Sequence, residues 1–155
     1  MKPIFTLMLF SALSLYGQRT ETLIYRATLL PSNEVPAVNI NANGNATIRA
    51  HVVRNAQNEV ISGTVDFIVS YNMPGAATFT GLHIHRGAAG ANGPVVINTG
   101  IGGANGNIED ETGRGTIARP AQITPADTNP LAALRDMIAN PSGFYVNLHT
   151  TVNPG

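Results

Sequence analysis

The 155-residue chain contains no cysteine, which excludes disulfides, thiolate-held metals and cysteine nucleophiles. Charge is also scarce. Only 12% of residues are charged, against about 25% in an ordinary soluble domain. Lys2 is the sole lysine, so eight arginines face nine carboxylates and the formal net charge is +0. No basic stripe that could follow a phosphate backbone exists, and nucleic acid is not an expected partner. The glycines from Gly87 to Gly93 lack the following lysine and helix of a phosphate-binding loop. Neither a Ser-His-Asp order nor a carboxylate pair at hydrolase spacing stands out, so the residues favour a non-enzymatic role.

Long apolar runs are absent apart from one, Ile4 to Tyr16, of about 13 residues. That is short of the roughly 20 needed to span a bilayer. Lys2 precedes it and Gly17 follows, then polar Gln18-Arg19-Thr20-Glu21. Residues 1–17 read as a secretory signal peptide, with cleavage expected near Gly17-Gln18. The expected product is a soluble protein of the periplasm or exterior, with no membrane span after cleavage. Its length suits one domain.

What the chain does contain is alternation. Leu23, Tyr25, Ala27 and Leu29 recur at every second position, as do Ala46, Ile48, Ala50 and Val52, and Ile61, Gly63, Val65, Phe67 and Val69. This is the period of half-buried strands. With Thr78 to His85, Pro94 to Thr99, Gly113 to Ala118 and Phe144 to Thr151, seven strands are predicted. The fold class expected is all-β, a Greek-key sandwich or barrel. Asn43-Gly44, Asn92-Gly93 and Asn105-Gly106 are predicted tight turns of type I′. One helix of about ten residues is expected before the last strand: Thr128 or Asn129 caps it, Leu131, Leu134 and Ile138 line one face, and Asn140-Pro141 stops it.

Four histidines carry most of the chemical interest. His83 and His85, at i and i+2 of a strand, project to one face about 6.6 Å apart. By the same alternation Phe79 and Gly81 share that face, and the rings could instead bond backbone groups of the following loop. His149 lies with Tyr145 and Asn147 on the polar side of its strand, opposite Phe144, Val146 and Leu148. Were the two strands neighbours, His83, His85 and His149 would form a three-nitrogen site for copper or zinc. His51, beside Thr47 and Arg49, reads as solvated. Glu109-Asp110-Glu111 sits among glycines without EF-hand spacing, and reads as a solvated loop rather than a calcium site.

Four blocks in order resemble the CHRD (chordin-type) domain family: Asn33-Glu34-Val35-Pro36-Ala37-Val38, Gly81-Leu82-His83-Ile84-His85-Arg86-Gly87, Gly90-Ala91-Asn92-Gly93-Pro94-Val95-Val96, and Tyr145-Val146-Asn147-Leu148-His149-Thr150. The likeness covers residues 22–155. It implies a secreted, mainly β domain that acts as a binding or structural module, with an envelope component or another protein as partner. The family pattern usually continues with a closing strand after Asn153-Pro154-Gly155, so this chain resembles the domain without it. A second likeness is to copper/zinc superoxide dismutase, in which His83, His85 and His149 are similar in position to copper ligands. The bridging histidine, the zinc ligands and the cysteines of that enzyme have no counterpart here. The likeness therefore implies, as the alternative to a binding or structural role, a copper or zinc site on those three histidines, with superoxide dismutation at its outer limit.

Overall fold

The computed structural model describes residues 17–154, so the expected signal segment lies outside the described residues except at Gly17. Eight strands and one α-helix follow: β1 (Arg19–Leu29), β2 (Asn43–Arg54), β3 (Val60–Asn72), β4 (Ala77–Arg86), β5 (Val95–Asn98), β6 (Ile108–Asp110), β7 (Arg114–Ile123), α1 (Thr128–Ala139) and β8 (Phe144–Thr150). The first sheet has the order β1-β2-β3-β7; in the second, β4 pairs with β5, β6 and β8. Every pairing is antiparallel. The protein is a β-sandwich with its helix before the last strand, as the alternation predicts.

The inward faces are those read from the period of two except at the start of β3, where the pairing shifts register from Val53–Ser62 to Arg54–Val60 and buries Val60 in place of the expected Ile61. Ala46, Ile48, Ala50 and Val52 of β2 and Val65, Phe67 and Val69 of β3 are all buried, and they meet Phe79, Leu82 and Ile84 of β4 and Ile97 of β5. Tyr71 and Phe79 join the sheets edge to face, with ring centroids 4.5 Å apart. Helix α1 packs against β3 and β5. Leu131, Ala133, Leu134 and Met137 are buried, with Ile138 packed beside them. The apolar stripe is thus wider than the Leu131-Leu134-Ile138 line.

Several local expectations are corrected. Asn43-Gly44 opens β2 rather than forming a turn. None of the three Asn-Gly asparagines has positive φ; the residue that does is Asn58, at +66°, in the β2–β3 connection. There Asn55 organises the turn, accepting on its side chain from Gln57 and Glu59 amides. Asn58→Val is expected to cost about 1–2 kcal/mol, because a β-branched side chain fits the left-handed region poorly. A shift in denaturant midpoint at constant slope would register it; an unchanged midpoint would mean the turn relaxes freely.

Glu109 and Asp110 belong to β6, which pairs with the start of β4, and Asp110 accepts from Thr112 N–H and Oγ1. The glycine-rich setting hid this three-residue strand. Strand β7 runs past Ala118 to Ile123 with Pro120 inside it. Because β7 ends its sheet, a proline there can direct its missing donor to the free edge. The helix cap is Asp127, not Thr128 or Asn129. Its carboxylate accepts from Thr124 N–H and Oγ1, leaving the helix amides without a side-chain cap.

Candidate metal centre

The alternation of β4 breaks once, and the break makes the site. Phe79 pairs with Thr150 of β8, but the next pair is Gly81 with His149. Thr80 is therefore an extra residue on β4, a bulge that resets which residues face in. Phe79 points into the core, as do Leu82 and Ile84. His83 and His85 take the opposite, outer face. Phe79 does not share the histidine face, contrary to uninterrupted alternation; Gly81 does.

Strand β8 is the neighbour of β4 along this stretch, with His83 opposite Asn147 and His85 opposite Tyr145. The outer face thus gathers His83, His85 and His149. Ring centroids are 5.8 Å apart for His83 and His85, 5.2 Å for His83 and His149, and 5.9 Å for His85 and His149. One potential ligand nitrogen from each ring lies within 4.8 Å of the other two. Nitrogens bound to one ion at about 2.0–2.1 Å can be at most about 4.2 Å apart. Sharing one ion therefore requires the rings to move closer together.

Hydrogen bonding and burial leave ring nitrogens without partners. His85 Nδ1 lies 2.9 Å from the Gly93 carbonyl, which as an acceptor requires the proton on Nδ1. Nε2 is then left with a lone pair, and it is buried with no hydrogen-bond partner. His83 Nδ1 is likewise buried and unpartnered. Burial is the main cause that lowers the His83 pKa to about 4, with His149 and His85 adding to it. Burial and then His85 also lower the His149 pKa, against a smaller opposing pull from Glu34. Both shifts favour the uncharged ring at His83 and His149, the form in which an imidazole binds a borderline metal ion.

The surroundings fix the rings. Tyr145 stacks on His85 with centroids 4.8 Å apart and planes within 11°. Its hydroxyl accepts from Gly93 N–H at 3.2 Å. Gly93 therefore receives His85 on its carbonyl and offers its amide to Tyr145, an outer-shell arrangement that sets tautomer and orientation. A Cβ at Gly93 would collide with the Arg86 carbonyl; the close approach is possible only for glycine. Asn92-Gly93 is thus part of the site's support rather than a generic turn. Gly81 supplies the space for the rings: a Cβ there would sit 2.6 Å from His83 Cε1 and 3.0 Å from His149 Cδ2.

Glu34 arrives from far away in sequence. The segment after β1 crosses the outer face, where Asn147 Nδ2 donates to Glu34 Oε2 at 3.2 Å and Asn92 Nδ2 donates to the Val35 carbonyl at 2.7 Å. No local pattern announces such a contact. His51 stays apart, on the outer face of the first sheet. Its ring bonds Thr22 Oγ1 and Asp66 Oδ2, and its side chain is 45% exposed. Among the described residues, His83, His85 and His149 are the one group of three potential ligands so close together.

No helix among the described residues is long and apolar enough to cross a membrane. No curated protein and no solved structure matches the chain. A family model does: the CHRD domain matches residues 25–155, from inside β1 through the whole sandwich and all three histidines. The chain belongs to the CHRD domain family.

Proposed function

We propose that this CHRD domain is an exported, non-enzymatic metal-binding module that holds one copper or zinc ion on His83, His85 and His149. The observation that carries this reading is the approach of three imidazoles, from two adjacent strands, to within 4.8 Å at their potential ligating nitrogens. Two facts support it. Buried polar atoms normally have partners, yet His83 Nδ1 and His85 Nε2 have none. The third ring atom of importance, His85 Nδ1, is occupied by a backbone carbonyl in the way metal-ligating histidines usually are. An all-imidazole set suits copper and zinc, and copper(II) is favoured over zinc by the general order of divalent affinities. The apolar leader at residues 4–16 supports export.

The test is metal content after loading with copper(II) or zinc and exhaustive dialysis, for wild type and His83→Ala. Stoichiometric metal is expected in wild type. Outer-shell changes alone typically cost about 10- to 100-fold in affinity, so removing a ligand should empty the site. Equal metal in both proteins would leave the histidines a purely structural role.

A further inference from the structure

Beside the histidines lies a groove that the metal reading does not use. It has a volume of about 320 Å³, within the range of small-molecule sites, and His149 and Asn147 are among the residues that line it. Leu29, Val38, Ile40, Met73 and Leu148 make its walls largely apolar. Glu34 is the one charged residue that lines it. Its carboxylate receives a single side-chain hydrogen bond, from Asn147, and none of the ion pairs among the described residues involves it.

One hydrogen bond from Asn147 orients the half-buried carboxylate. The chain around it is tied by the Asn92 bond to the Val35 carbonyl and by Val38 N–H to the Pro31 carbonyl at 3.0 Å. Thr150 and Asn153, which also line the groove, close a turn through Thr150 N–H to the Asn153 carbonyl at 3.1 Å. A carboxylate acceptor among apolar groove walls selects its complement. Acids and phosphates meet like charge there; a cationic donor gains a charge-assisted hydrogen bond while its body covers the apolar wall.

We propose that this groove binds a small organic amine, with its ammonium on Glu34 and its apolar body along Leu29, Ile40, Met73 and Leu148. The inference goes beyond the metal reading and does not require it. An ion on His149 would place positive charge near the ammonium, so metal should weaken amine binding rather than create it.

Calorimetric titration with three size-matched probes tests the proposal: 2-phenylethylamine, 2-phenylethanol and 3-phenylpropionate, on chelator-treated and copper-loaded protein. The amine is expected to bind about tenfold more tightly than the alcohol, and the acid more weakly than either. Glu34→Gln should remove the amine's advantage while leaving the alcohol's affinity unchanged. Equal binding of all three, no binding of the amine, or an amine preference that survives Glu34→Gln would overturn it. So would amine binding seen only with copper present, which would identify the ion as its partner. His85→Ala keeps the two readings separate: it should empty the metal site and leave the amine bound.

Discussion

A Gly81→Ala variant is expected to fold normally and to lose about 10- to 100-fold in copper or zinc affinity. The added methyl would lie 2.6 Å from His83 Cε1, too close to tolerate, and 3.0 Å from His149 Cδ2, a tight contact. What it meets is the end of two side chains, not backbone, so the rings turn aside and the strands need not move. The backbone of a strand also accepts alanine more readily than glycine, by roughly 0.5–1 kcal/mol. Metal titration and thermal melting separate the two effects. Unchanged affinity with a lowered melting temperature would mean that the methyl is absorbed by the sheet, and that Gly81 serves folding instead of the histidines.

Phe67→Ala should have the opposite profile, losing about 3–5 kcal/mol of stability while leaving metal affinity of the folded protein intact. Phe67 is fully buried in β3 between the sheets, whereas the histidines lie on the outer face of the second sheet. A domain's total stability is about 5–15 kcal/mol, so this one truncation removes a large share. Ile24 is the contrast: it is 55% exposed on β1, and Ile24→Ala should stay within about 0.5 kcal/mol of wild type. Equilibrium denaturation of the two variants checks the ranking. Equal losses would show that the sandwich core is not where β2 and β3 derive their stability.

The contrast between those two variants follows from how the chain encodes its layers. Alternation marked the inward faces of β2 and of β3 from Val65 onward, because antiparallel strands that pack on one side need apolar residues at every second position; at the start of β3 a register shift put Val60 inward instead of Ile61. Alternation also assigned Tyr145, Asn147 and His149 to the polar side of β8, and Asn140-Pro141 marked the end of α1. The type I′ turns failed because Asn-Gly permits positive φ without requiring it. In two of three cases the pair served a strand start or the support of a ring.

The histidines show where local reading stops. Their identity and shared strand spacing were legible, and so was the family resemblance carried by the blocks around them. Whether His149 joins His83 and His85 was not, since it depends on which strands are neighbours, and β8 reaches β4 only after β5, β6, β7 and α1 have intervened. The bulge at Thr80 was equally hidden: one unpaired residue reverses the facing of Phe79 relative to His83, and nothing in the one-dimensional pattern marks it. Glu34, separated from Asn147 by more than a hundred positions, meets it only because the segment after β1 folds over the second sheet. The sequence by itself determined the sandwich, most of its inward faces and a set of possible ligands, because those depend on short-range periodicity. Only the tertiary structure brought three imidazoles, a glycine-made space and one carboxylate to the same outer face, because long-range pairing and a single break in register decide what meets there.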